Sequence, residues 1–178
     1  RTDHTFLLSS EQQNYIERRW GVGSKTSVVW QHVDTEYFKP TTTAVDVHGP
    51  VFAIGDDHGR DWKTFIEAVA DLDIDVIIKT RHKINRPDGM RCRVKQISHR
   101  LTFAELRDLY AQSSIVVIPL KTTLNVSGVG SVLESMSMGK ALIISDNPPI
   151  RDYLVANETC RIVPIGNSKA MQLAIKQL

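Results

Sequence analysis

Cysteine is scarce. Only Cys92 and Cys160 occur in 178 residues, far apart and without metal-ligand spacing. A disulfide framework is therefore excluded, and two buried free thiols in a reducing compartment are expected. No apolar run approaches the ~18 residues of a membrane-spanning helix, so no bilayer span is expected. Neither sign of charge dominates: 22 Lys and Arg face 20 Asp and Glu, which implies no general affinity for nucleic acid. His32, His48, His58, His82 and His99 are scattered, with no pair at metal spacing. No G-x-G-x-x-G follows the first regular strand, and no acidic residue stands where a dinucleotide site needs it, which argues against a dehydrogenase. Order and spacing offer no Ser/His/Asp set, Cys/His pair or close carboxylate pair. Repeats, low-complexity tracts, a signal peptide and an initiator Met are also missing. The chain starts at Arg1 and stops at Leu178 inside a helical pattern of Ala170, Leu173, Ala174 and Leu178. A piece of a longer protein is expected.

What is present is an ordinary globular composition, 42% hydrophobic and 24% charged, enough for one core. Residues 1–40 read as a preceding segment. Ser10 with Gln13 predicts a capping box for a helix through Trp20, stopped by Gly21 and Gly23. Ser27 to Gln31 reads as a strand, and Asp34 to Pro40 as a polar turn. Thr41 to Pro50 has linker composition, so the boundary is expected there. From Val51 the pattern is regular. Val51–Ile54, Ile74–Ile78, Arg93–Ile97, Ile115–Leu120, Ala141–Ile144 and Ile162–Val163 read as strands. Helical periodicity covers Arg60–Leu72, a segment capped by Thr102 and Glu105, the stretch after Gly130, Pro149–Leu154 and a last helix capped by Ser168. Lys79 to Met90 reads as a basic loop. Strands and helices alternate with connections too long for hairpins, which predicts a doubly wound, Rossmann-like parallel α/β sheet.

The stretch from Ser113 to Asp146 is the most informative. A buried strand leads through Ser127, Gly128, Val129, Gly130 and Ser131 into a short helix, which Gly139 stops before the next strand. Glycines allow close backbone approach, and a helix N-terminus favours anions. Glu134, read in the opening turn, suits either a ribose or sugar diol or a favourable place in the helix dipole. Arg60 opens the helix after the first strand, either to lie over a diphosphate or as a solvated surface residue. Asp61 reads as a cap or dipole partner, and Trp62 and Tyr110 as core or helix-face residues. Lys79, Arg81, His82 and Lys83 form a basic run that reads as a charged loop. His99 and Arg100 follow a strand end beside the same edge.

These residues resemble the donor-binding half of a B-type retaining glycosyltransferase, of the group that includes glycosyltransferase family 4. Asp34 to Pro40 (DTEYFKP) resembles the family's "GVDTxxFxP" inter-domain string, preceded here by Trp20-Gly21-Val22. Gly55 to Ala68 resembles its first loop and helix. Leu106 to Leu120 resembles "LxxLYxxADxxVxPS". Ser127 to Asp146 resembles "G…LEAMAxGxPVIxSD". The resemblance implies residues 1–48 as the end of an N-terminal domain with the inter-domain segment. Residues 49–178 would then be a nucleotide-sugar-binding domain, cut short at its C-terminus. Glu134 matches the second Glu of the family's E-x7-E motif, which bonds the ribose. Arg60 falls where a Lys neutralises the donor diphosphate. The amides around Gly128, Val129, Gly130 and Ser131, with Ser127, would face the phosphate and donor sugar.

Two positions depart from the pattern. Val126 replaces the first Glu of the motif, so contact with the transferred sugar passes to Asn125, Ser127 or backbone amides. Asp56 replaces an expected Arg, leaving Lys79, Arg81 or Lys121 to compensate. The resemblance implies a nucleotide diphosphate sugar as donor, a glycan or lipid-linked acceptor, no metal and no cofactor. It also implies a cytoplasmic parent enzyme, with peripheral contact at the inner membrane face. The fragment alone is expected to transfer nothing. The rivals are a non-catalytic nucleotide-binding or regulatory module of the same fold, for which Val126 argues, and another B-type enzyme such as an epimerase or phosphorylase.

Overall fold

The structure, a computed structural model, describes residues 2–40 and 48–178. Residues 41–47, within the expected linker, lie outside the described residues. The first part carries β1 (Thr5–Leu7), α1 (Ser10–Trp20), a 3₁₀ turn (Gly23–Lys25) and β2 (Thr26–Val28). The regular part carries β3 (Val51–Ile54), α2 (Trp62–Val69), β4 (Asp75–Lys79), β5 (Arg93–Ile97), α3 (Phe103–Gln112), β6 (Ile115–Ile118), α4 (Val129–Ser137), β7 (Ala141–Ser145), a 3₁₀ helix (Pro148–Tyr153), β8 (Arg161–Val163) and α5 (Ser168–Gln177).

β3 to β8 form one sheet in the order β5-β4-β3-β6-β7-β8, with every neighbouring pair parallel. Numbered from its first strand, this is the 3-2-1-4-5-6 order of a Rossmann sheet, as the alternation predicted. The central strands are continuous apolar runs because both of their faces are covered. Val117 and Ile78 pack with α2 and α5 residues such as Phe65 and Met171 on one face. Val116, Ile118 and Ile144 pack with Tyr110 and Val132 on the other. The chain reverses direction across the sheet between β3 and β6, and the loops after those two strands part there. Such a switch point at the carboxyl edge is where open α/β sheets bind ligands.

β1 and β2 pair in parallel as a separate two-stranded sheet. This small unit packs through α1 on the 3₁₀ helix at 148–153. Ser10 N and Oγ both donate to the Asp152 carboxylate, at 2.7–2.9 Å. Tyr153 Oη donates to Leu8 O at 2.7 Å. Both cysteines are free and buried, as expected.

Several sequence expectations need correction. Ser9, not Ser10, caps α1, accepting from Gln12 N, because Asp152 claims Ser10. Asn167, not Ser168, caps α5. β2 stops at Val28 rather than Gln31, and β1 was not predicted at all. The helix expected over Pro149–Leu154 is a 3₁₀ helix spanning Pro148–Tyr153. The capping box of Thr102 and Glu105 is formed as predicted.

Candidate functional site

The parting loops meet around Arg60. This residue does not open α2, as the sequence suggested. Asp61 caps that helix through Thr64 N, and Arg60 lies just before it, bridged antiparallel to Leu120 after β6. Two further backbone bonds tie the loops together: Asp61 N to Pro119 O at 3.0 Å and Lys121 N to Gly59 O at 2.8 Å.

The Arg60 side chain is drawn into this seam, 3% exposed. Nε donates to Ile54 O at 2.8 Å. Nη1 lies 3.1 Å from Asp57 Oδ2, a carboxylate that is itself 41% exposed. The approach is too oblique for a hydrogen bond, so buried Nη1 has no hydrogen-bond partner among the described residues. Burial pulls the guanidinium below its ordinary pKa, with Asp57 opposing most strongly, and an arginine stays charged even so. Asp57 offsets part of the cost of burying this cation, but a donor without a hydrogen bond remains for a further anion.

Two glycines make room for it. A Cβ at Gly55 (φ +153°) would sit on Arg60 Nε. At Gly128 (φ +87°) a Cβ would stand 2.8 Å from Ile118 Cγ2 and 3.1 Å from Arg60 Nη1. Gly128 is also the N-cap of α4, and among the described residues no side chain caps that helix. The amides of Gly130 and Ser131 thus stay open at its positive end. Among the described residues nothing lies within 4 Å of a would-be Cβ at Gly130, so the turn there faces open space. Val129 is the exception in the predicted amide row, because its N–H closes a turn on Val126 O at 3.3 Å. Ser127 does belong to the seam: its Oγ would stand 2.6 Å from a Cβ at Gly59.

Glu134 is not in the opening turn of α4, which contains no acidic residue. It lies a turn further along, which removes the dipole reading. There its Oε2 accepts the Tyr110 hydroxyl at 2.8 Å. Burial pushes the Glu134 carboxyl up, against the opposing Tyr110 hydrogen bond. Burial and then the Glu134 charge push the Tyr110 phenol well above its ordinary range.

The expected basic loop begins differently. Lys79 ends β4 as a buried residue and pairs with Asp56 Oδ2 at 3.2 Å. Arg81 reaches the same carboxylate, with its amide 2.6 Å from Oδ1 and its Nε 3.1 Å from Oδ2. Burial raises the Asp56 pKa, but these bonds and charges outweigh it and hold the carboxyl below its usual value. The two cations invoked to replace a missing arginine are therefore spent on the acid that replaced it. Beside them opens a cleft of ≈ 420 Å³, lined by Asp56, Lys79, Arg81 and Arg100 over Ile54, Leu101 and Leu106.

Of the remaining candidates, Lys121 is exposed and adjoins the seam through its backbone. Asn125 is exposed on the loop before α4, and its amide donates to Thr123 Oγ1 at 3.1 Å. His99 is exposed and stands apart from this cleft's lining, where Arg100 takes the place. Val126 is buried and apolar. Sequence reasoning missed Asp57 and the hydroxyl of Tyr110. The spacing of Tyr110 within α3 could show only that its ring faces the core. Among the described residues, no group of three or more His, Cys, Asp or Glu is placed to hold a metal, and no helix is long and apolar enough to cross a membrane.

Comparison with solved structures gives the same fold. A glycosyltransferase from Rickettsia africae ESF-5 superposes with a TM-score of 0.74 at 15% identity, over 99% of this chain and 53% of its own. Anabaena Alr3699/HepE in complex with UDP and glucose superposes with a TM-score of 0.77 at 14% identity, over 98% of this chain and 53% of its own. The C-terminal domain of a glycosyl transferase group 1 family protein (LpcC) from Francisella tularensis gives 0.63 at 17% identity, over 82% of this chain and 87% of that domain. The chain thus spans about half the length of the first two, 53% in each. No curated protein sequence matches it. The family described as "Glycosyl transferases group 1" matches residues 61–178, well over half of the chain. The chain belongs to that family.

Proposed function

We propose that this chain is the donor-binding half of a retaining glycosyltransferase, moving a hexose from a nucleotide diphosphate sugar to a glycan or lipid-linked acceptor. Residues 49–178 form the nucleotide-sugar domain, and residues 1–48 end the domain before it. The observation that carries the reading is Arg60, buried between two glycine loops, its Nη1 ion-paired with half-exposed Asp57 but without a hydrogen-bond partner among the described residues, and the open amides of α4 nearby. Such a place suits an anion of two or more charges, and a diphosphate fits it.

In this reading the bond from the anomeric carbon to the diphosphate oxygen breaks, and charge grows on the departing diphosphate. Arg60 and the amides of Gly130 and Ser131 stabilise that charge without a metal or cofactor. The leaving diphosphate itself helps take the acceptor proton. Glu134 holds the ribose, and Ser127 or Asn125 meets the sugar that Val126 cannot. The acceptor is held by the domain before this one, so the isolated chain binds nucleotide weakly and transfers nothing. The whole enzyme works in the cytoplasm, at the inner membrane face when its acceptor is a lipid, in building polysaccharide.

Buried Val126 favours a second reading, a module of the same fold that binds nucleotide without chemistry. Calorimetry with UDP, GDP, ADP and pyrophosphate tests the shared part of both. Binding that Arg60→Ala weakens on the order of 10–100-fold is expected, and binding untouched by that change would sink the site. Transfer or donor hydrolysis by the whole enzyme decides for the first reading over the second. Turnover by residues 1–178 alone would overturn the claim that the fragment is inactive.

A further inference from the structure

Tyr110 does more than fill the core. Its ring is fully buried and fixed by edge contacts with Phe52 (centroids 5.3 Å, 78°) and Phe38 (6.3 Å, 81°). Phe38 belongs to the segment that precedes the sheet, and its carbonyl accepts from Ser137 Oγ on α4. The phenol is thus held from two sides, with its hydroxyl emerging beside α4. A hydroxyl has one proton to give, and here it goes to Glu134 Oε2 at 2.8 Å. Ser131 and Ser135 also face this hydroxyl. Glu134 Oε1 accepts no hydrogen bond among the described residues, and the residue is only partly buried.

We propose that Tyr110 is the positioning residue of the ribose site, holding Glu134 Oε2 so that Oε1 is presented to a hydroxyl of the ribose diol. This rests on the donor-binding reading above. A glutamate on a helix face turns about three bonds, and a carboxylate free to turn must be ordered when ligand arrives. The buried phenol does that ordering beforehand, which is preorganisation. The same contact selects between ligands. A nucleotide without ribose hydroxyls leaves Oε1 unpaired in a partly desolvated place and is disfavoured.

The test is calorimetry of the protein with UDP, GDP and ADP, each beside its 2′,3′-dideoxy counterpart, and with pyrophosphate. Wild type should prefer the ribonucleotide. Tyr110→Phe keeps the ring and should weaken ribonucleotide binding about tenfold. It should leave the dideoxy compound and pyrophosphate unchanged, so the preference collapses. Glu134→Gln, which still accepts from the phenol, should also lose the preference. The double variant should bind ribonucleotide no more weakly than Glu134→Gln alone. Equal weakening of all ligands by Tyr110→Phe, or none, would overturn the assignment. Pyrophosphate binding with no ribose preference in wild type would overturn it too, while leaving the anion site standing. If wild type binds none of these ligands, the donor reading falls and takes this inference with it.

Discussion

Asp56 and Lys79 are joined at 3.2 Å across the ends of β3 and β4, and the lysine side chain is only 8% exposed. An acid stands here where a basic residue was expected. The buried ammonium beside it depends on that carboxylate. Removing the acid should therefore cost stability before it affects any ligand. Asp56→Asn should lose about 1–3 kcal/mol by urea denaturation, less than a fully buried pair because the acid is partly wet. Its pH dependence has a definite sign. Asp56 titrates lower in the folded chain than unfolded, so its contribution is present above the ordinary aspartate value. The contribution is lost as pH falls through the depressed one. The variant should lack that acid limb.

Arg60 predicts a loss that charge alone does not repair. Lys keeps the charge but has no Nε to donate to Ile54 O while pointing a second nitrogen at an anion. Both Arg60→Ala and Arg60→Lys should weaken pyrophosphate and nucleoside diphosphate binding, the alanine on the order of 10–100-fold. Calorimetry at fixed salt measures it, and a lysine variant of wild-type affinity would contradict the geometry.

The two glycines before and within α4 should behave oppositely. Gly128→Ala puts a methyl 2.8 Å from Ile118 Cγ2 at φ +87° and should cost roughly 1–3 kcal/mol. Gly130→Ala meets nothing within 4 Å among the described residues and lies inside the helix, so thermal stability should hold or rise by up to ~1 kcal/mol. Nucleotide affinity should nonetheless fall in Gly130→Ala, because the methyl occupies the space over the open amides.

Glu134 predicts a pH profile for binding. Its carboxyl is raised by burial, so it takes up a proton at higher pH than an ordinary glutamate. A protonated carboxyl is a poorer acceptor for a diol, so ribonucleotide affinity should fall as pH drops through that raised value. In Glu134→Gln the profile should be flat there. Stability runs the other way. A raised folded pKa favours the fold below the unfolded value, and that advantage is lost as pH rises through the folded one. At neutral pH Glu134→Gln should be at least as stable as wild type.

The central strands were legible because β3, β6 and β7 are buried on both faces and so read as unbroken apolar runs. The α3 cap was legible because Thr102 and Glu105 satisfy each other locally. What failed was decided by distant partners. Ser9 and Ser10 are equivalent caps until Asp152, 142 positions from Ser10, claims one of them. Lys79 reads as the start of a loop until Asp56 neutralises it within the sheet. A three-residue strand such as β1 carries no period to detect. At the candidate site, the glycines and Arg60 were visible as residue types, whereas the Tyr110 bond to Glu134 joins two elements whose approach no spacing reveals.

Val51 pairs with Ile115 and Phe52 with Val116, so the two strands under Arg60 come from stretches far apart in the chain. During synthesis β3 can pair early with β4 on one edge, but its other edge must wait, unmatched, until β5 and α3 have also emerged and β6 arrives. A contact of such high sequence separation closes slowly. If, as proposed, a diphosphate lies across that join, it would recognise only molecules in which the join has closed, and would act as a fastener, withdrawing finished chains from the pool still able to come apart.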